Sequence, residues 1–447
     1  MNLMNNFDQL RSAQHGNPDH QLPMGPRLAL GTQHMLAMFA SNVGTSIVVG
    51  AAAGFVSGSD DMVYLIQMAM MFAGVATLFQ TIGFGMIGAK LPVMQGTSIA
   101  FVPVMINVVK SSGMAALMGS IIVSGLFHAM LGTFIGRLRH WFPPLVMGLV
   151  ITTIGLYVIP VGIRFASGGA APHQMSDPSW GDLDHWTLAM FVMFTALGCK
   201  FFTRGFTSSA AILIGLATGY YFAIVMERVD LTPVMDAPWF ALPIPLKHGI
   251  EFNFAAILGM CFITFVSAIE TIGDISGITK GGAGREPTQK ELAGGTYADG
   301  LGSAVAGVFG ALPNTSFSQN VGIVSMTGVM SRGVVTVSGV LLIMCGFVPK
   351  IGAFVASMPI EVLGGAMILM FGMIVSTGVS ILSQVAWTRR NMMILATSLS
   401  IGLGLKSVPQ AMQHLPDTLA MLMTSGLLPV AVIAVVMNLV LPESIDG

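Results

Sequence analysis

Charge is scarce in this chain of 447 residues: Lys, Arg, Asp and Glu together make up 9% of it, against about a quarter in an ordinary soluble domain. Hydrophobic residues make up 54%, and the mean hydropathy is +0.79. A soluble globular domain is excluded, and an all-α polytopic membrane protein set in a lipid bilayer remains. The net charge of −1 says nothing about nucleic acid, and there is no basic run to suggest such a partner. Cysteine is nearly absent. Cys199, Cys261 and Cys345 are odd in number and lie in apolar stretches, so they build neither a disulfide framework nor a metal site. Residues 1–25 are polar and lack a signal peptide's apolar centre, so the first apolar span is expected to be retained. No nucleophile–base set or metal-ligand cluster stands out, which makes a membrane enzyme the least favoured class.

What the chain does have is apolar stretches of the length that crosses a bilayer, about 17–25 residues. They lie near 28–53, 62–87, 91–109, 114–136, 143–163, 186–203 and 207–226. A polar interval at 227–251 follows, and a second series runs near 252–278, 291–311, 314–329, 334–357, 359–385, 391–407 and 426–442. Residues 408–425 read as a short interfacial helix. Fourteen spans put both termini on the same side. With both ends cytoplasmic, 13 of the 19 Lys and Arg fall inside, among them Arg11, Arg137, Arg139, Arg389 and Arg390; Lys110, Arg164, Arg228, Lys247, Lys350 and Lys406 fall outside. That is the bias of the positive-inside rule.

Residues 312–328 break the apolar pattern with proline, two glycines and a run of Asn, Thr, Ser and Gln. A lipid-facing helix cannot carry this, because unpaired polar groups in hydrocarbon cost several kcal/mol each. The leading reading is a broken helix beside a polar binding site; the other is a re-entrant or interfacial loop without a ligand. Leu91-Pro92 through Ser98 opens the third span much as Leu312-Pro313 through Ser316 opens the tenth. These are corresponding members of two seven-span halves, and an odd number inverts the second half. Interrupted segments in corresponding places of inverted halves point to a transporter's binding site, with helix N-termini offering N–H groups.

Three acids stand inside spans: Glu270 and Asp274, four residues apart and so on one helical face, and Asp299. Intramembrane acids are functional candidates by default, and two so close favour sharing a proton. Each also has a bland reading, a bond to backbone across a helix interface. Gln33 and His34 interrupt the first span; His34 could bind substrate, relay a proton or tie span one to a neighbouring acid, with a supporting role expected for it and for His128. Glu361 reads as an acid suited to a helix start. Met68, Met70 and Met71 read as lipid-facing or packing surface, and Arg389-Arg390 as a topology anchor.

Gln319-Asn320-Val321-Gly322 followed by Thr327-Gly328 resembles the signature of the nucleobase–ascorbate transporter family. Gln33-His34, Gln95-Gly96-Thr97-Ser98, Glu270 through Asp274, and Asp299 stand in the order that family requires, so the resemblance covers nearly the whole chain. It implies fourteen spans in two inverted repeats of seven, with short extended pieces in spans three and ten. After a cytoplasmic tail (1–27), it implies a core domain of spans 1–4 (28–136) and 8–11 (252–357). A gate domain would comprise spans 5–7 (143–226) and 12–14 (359–442), with an extracytoplasmic loop at 227–251. It further implies a homodimer, an elevator-type movement, a proton as coupling ion with no cofactor, and a bacterial inner membrane.

Gln319 together with Asp274 matches the xanthine and uric acid branch; uracil carriers tend to have Glu and His at these two places. The resemblance implies Glu270 as the main anchor for a purine and Gln319 as its discriminator, since an amide both donates and accepts. Phe317 would stack on the ring, with backbone near Ser98, Ile99, Ala100 and Ser318 completing the cradle. Asn320 and His34 would support the site, while Asp274, Asp299 and Gln33 would serve proton coupling or core integrity. Ile99 stands where relatives often have an aromatic residue. Ala100 is small where some xanthine-selective relatives carry a larger polar one, which leaves room for the extra oxygen of uric acid. The alternatives are a uracil or other nucleobase permease, a sulphate-type anion transporter of the same architecture, and a channel.

Overall fold

A computed structural model describes residues 16–136, 143–170 and 172–442. The expectations for Arg11, Arg137, Arg139 and both chain ends lie outside those residues. The chain is almost entirely helical: α1 Met24–Ala52, α2 Asp60–Thr81, β1 Gln95–Thr97, α3 Val102–Gly132, α4 Pro144–Ala166, α5 Leu183–Phe202, α6 Ala211–Val225, α7 Phe254–Ala283, α8 Gln289–Val308, β2 Asn314–Ser316, α9 Ser318–Thr327, α10 Arg332–Gly346, α11 Pro349–Ala356, α12 Ile360–Leu382, α13 Arg389–Ser407 and α14 Leu427–Val440. Among the described residues, seven helices are long and apolar enough to cross a membrane. The pair α10 and α11, bent by 82°, makes an eighth if taken as one span, and α6 and α14 are shorter apolar helices.

Local chemistry sets the boundaries. Ser59 caps α2 ahead of Asp60 and Asp61, and Asn253 caps α7 through Ala256 N at 3.1 Å; both satisfy first-turn N–H groups. Thr288 and Glu291 form a capping box at α8, with Arg285 bound to Glu291. Within α3, Gly113 is non-helical (φ 80°, ψ 178°), and there the third apolar stretch parts from the fourth.

Packing sorts the helices into two groups. In one, α2 lies against α10, α3 against α7 and α8, and α1 against α10; in the other, α4 and α5 lie against α12, α5 against α6, and α13 against α14. Small residues permit the close approaches: a Cβ on Gly74 of α2 would stand 2.5 Å from Gly339 O of α10. Met68, Met70 and Met71 are buried, so they pack rather than face lipid. The 227–251 interval is stitched to the first group by Leu246 N on Val308 O (2.8 Å) and Glu251 N on Ala115 O (3.0 Å). Two residues do more than their sequence setting implies. Glu361 is buried at the start of α12 and paired with His185 of α5, so it does more than suit the helix dipole. Arg390 donates to Asn438 Oδ1 (3.2 Å) and Leu441 O (3.2 Å), which ties α13 to the end of α14 as well as marking a surface.

Candidate functional site

The two proline-led interruptions meet. β1 and β2 pair antiparallel, with Gln95 opposite Ser316, Gly96 opposite Thr315 and Thr97 opposite Asn314. Ser98 N on Pro313 O and Phe317 N on Met94 O, each 2.9 Å, extend the ladder at both ends. This non-helical backbone is fully buried in protein, which is the condition for its survival at membrane depth. Gly96 is obligatory: a Cβ there would lie 2.5 Å from both Met38 Cε and the Phe317 ring. After β1 the chain turns through Ile99–Phe101 into α3, and after β2 it enters α9 at Ser318. Two helix starts, with their unpaired N–H groups and positive dipole ends, thus flank one short ladder.

Asp299, wholly buried on α8, is the hub on one side of the ladder. Its Oδ1 accepts from Gln80 Nε2 of α2 (2.6 Å) and from Gln95 Nε2 of β1 (2.6 Å), and its Oδ2 accepts from the Thr271 hydroxyl of α7. Gln80 also donates to Gly295 O (2.9 Å) and accepts from Ala89 N (3.1 Å). Asn42 of α1 accepts from Thr97 N at 2.7 Å, and Thr77 Oγ1 accepts from Gln95 N at 3.0 Å. One carboxylate therefore fastens the first strand to three helices.

On α7, one turn from Thr271, the picture differs. Ser318 Oγ donates to Asp274 Oδ1 at 2.7 Å, and the Ser316 hydroxyl is the second side-chain donor acting on the Asp274 carboxyl. Glu270 is half-buried and forms no hydrogen bond among the described residues; it lines a crevice with Val266 and Ile269 of α7 and Met147, Val150 and Ile151 of α4. Gln319, half-buried at the start of α9, is likewise unpaired. Among the described residues, buried oxygens of Thr97, Ser98 and Asn320, and the Gln95 side-chain carbonyl, also lack partners around the ladder. Unpaired buried polar atoms are costly and rare, and this many around one ladder suit a polar ligand.

The remaining sequence-predicted residues divide. Asn320 Nδ2 donates to His34 Nδ1 (2.9 Å) and to His34 O (3.0 Å), so His34 ties α1 to α9 through an amide rather than through an acid. Phe317 is 5% exposed, its ring edge on Gly96, and Ile99 and Ala100 are half-buried in the turn after β1. Gln33 stands apart, donating to Ser209 Oγ at 3.3 Å. Sequence reasoning missed Gln80, Thr271 and Asn42 as network members. A glutamine near the end of an apolar Met-rich helix was the available signal for Gln80. Among the described residues no group of three His, Cys, Asp or Glu is placed to hold a metal.

The model of a permease family that carries xanthine and uric acid in its label matches residues 26–411. The chain is 36% identical to the xanthine permease of Bacillus subtilis, over 93% of this chain and 94% of that one. It is also 36% identical to the uric acid transporter of Escherichia coli, over 94% and 87%. Among solved structures, the transmembrane domain of a cyanobacterial bicarbonate transporter superposes with a TM-score of 0.57 at 14% identity, covering 95% of this chain and 99% of that one; at that identity the likeness is one of fold.

Proposed function

The chain belongs to this permease family, the nucleobase–ascorbate transporters, and on that premise we propose that it is a proton-coupled symporter importing xanthine, uric acid or both. Its relatives' names support a purine nucleobase as cargo. The observation that carries the reading is the pair of helix starts around one buried ladder, with Glu270 and Gln319 left without hydrogen-bond partners among the described residues. Glu270 as carboxylate accepts from ring N–H groups, and Gln319 donates to and accepts from an adjacent C=O and N–H pair. Ser98, Ile99, Ala100, Phe317 and Ser318 form the cradle, and Asn320 with His34 braces it. Asp274 and Glu270 carry the coupling proton between them, and Asp299 keeps the core intact.

In this reading the chain spans the bacterial inner membrane fourteen times, with both termini cytoplasmic, as two inverted repeats of seven. The core domain (28–136 and 252–357) moves elevator-fashion against the gate domain (143–226 and 359–442), and two copies meet through their gates. The two packed helix groups support that division, and Glu270 at the crevice between α7 and α4 stands on its boundary.

The test is uptake of labelled xanthine into proteoliposomes with and without an inward proton gradient, competed by unlabelled urate, uracil and guanine. Saturable, gradient-driven uptake blocked by urate and not by uracil is expected. Block by uracil overturns the cargo, gradient independence overturns the coupling, and absence of nucleobase uptake returns the fold to an anion carrier.

A further inference from the structure

One end of the molecule carries three cations without a carboxylate partner among the described residues. Lys406 lies in the last turn of α13, Arg164 in the last turn of α4, and Lys110 three residues before the break at Gly113 in α3. Lys110 and Arg164 are the charges that act on Lys406. Among the described residues none of the three has a carboxylate partner, whereas Arg228, Lys247, Lys280, Arg285 and Arg332 each hold one. A cleft lined by one sign of charge focuses its field and gathers counter-ions.

Surface anchoring alone accounts for isolated Lys and Arg at helix ends, but the surroundings here are more specific. Lys406 is only half-exposed, its ammonium 5.5 Å from the Tyr157 ring centre. The Tyr157 hydroxyl is buried without a partner among the described residues and lies against Gly426. The neighbours of Gly426, Ser425 and Leu427, line a narrow crevice of about 20 Å³ together with Asn107, one helical turn before Lys110. The far wall of that crevice is α7, at Gly259, Phe262 and Ile263. The same face of α7 continues through Val266 and Ile269 to Glu270 in the second crevice. At 1.5 Å per residue, Phe262 and Glu270 are about 12 Å apart along the helix.

We propose that Lys110, Arg164 and Lys406 form an anion-collecting vestibule for the ionised purine, at the mouth of a path along α7 to Glu270. The proposal rests on the purine-permease reading. Urate is a monoanion at neutral pH, whereas xanthine in mildly acidic solution is neutral. The carboxylates at the floor repel the anion, and the cationic mouth supplies the opposing attraction that brings it within reach.

Initial-rate uptake by the full chain in proteoliposomes tests this with the triple variant Lys110→Gln, Arg164→Gln, Lys406→Gln. At low salt the KM for urate is expected to rise about tenfold, with kcat within about twofold, and the difference should vanish near 1 M salt, where the screening length is about 3 Å. The KM for xanthine in mildly acidic buffer should not move. A rise shared by neutral xanthine, or no rise for urate at low salt, overturns the proposal. The charge-keeping variant Lys110→Arg, Lys406→Arg should behave like the parent.

A second readout needs no transport. In a chain with its native cysteines replaced by serine, Asn107→Cys is reacted with an anionic and a cationic methanethiosulfonate reagent. Adding Lys406→Gln should lower the anionic-to-cationic rate ratio several-fold; an unchanged ratio overturns the vestibule. If the unmodified chain takes up no purine, the permease reading fails, while this ratio still decides the vestibule.

Discussion

Asp299 and Glu270 stand on adjoining helices, α8 and α7, beside the same strand pair, and their oxygens are spent differently. Asp299 takes three side-chain donors from α2, β1 and α7; Glu270 takes none among the described residues and faces a crevice. A carboxylate whose lone pairs are filled by the protein is a fastener, because removing it strands every donor it held. A carboxylate left unfilled at a crevice is free to accept from something that arrives. Position inside the membrane, which both share, does not distinguish them; hydrogen-bond accounting does.

Four substitutions break or sharpen this contrast. Glu270→Gln should lower gradient-driven purine uptake about a hundredfold or more, while the purified protein melts within a few degrees of the parent. A large drop in melting temperature there would make Glu270 a fastener too. Asp299→Ala orphans three buried donors at about 1–3 kcal/mol each, so membrane abundance and melting temperature should both fall sharply; parental melting would remove Asp299 from the structural role. Gln80→Ala strips one donor from Asp299 and one acceptor from Ala89 N, and should lower stability by about 1–3 kcal/mol, visible in the same melting assay, with KM for xanthine within about twofold. Ala100→Asn, in the turn after β1, should reduce urate uptake several-fold more than xanthine uptake; equal loss of both would remove Ala100 from cargo selection.

Much of the helical framework was legible because apolar run length is a one-dimensional signal: the stretch near 62–87 became α2, 252–278 became α7 and 359–385 became α12. The interruptions were legible for the same reason in reverse, since Pro92 and Pro313 with their polar followers cannot continue a lipid-facing helix. Which residues then meet was not. The partners of Asp299 come from three separate elements, and nothing in the spacing of Gln80 or Thr271 encodes a contact across helices. His34 was legible as a tie, but its partner Asn320 was not distinguishable from an acid by pattern alone. His185 and Glu361 lie far apart in the chain and each looked ordinary in its own segment.

The strand pair also dictates an order of events during synthesis. β1 emerges roughly half a chain before β2, so the first extended segment reaches the bilayer with its ladder partner not yet made. Until then its N–H and C=O groups have no strand to answer them, in a solvent that answers none. The loop that must close is about half the chain, and such non-local pairings set the pace of assembly. The nascent first half is therefore an obligate intermediate: it must wait at the translocon or against an insertase until residues 314–316 arrive. Cutting the gene within the 227–251 connection and expressing both pieces together would let two separately inserted halves complete each other, with the ladder itself as the splice.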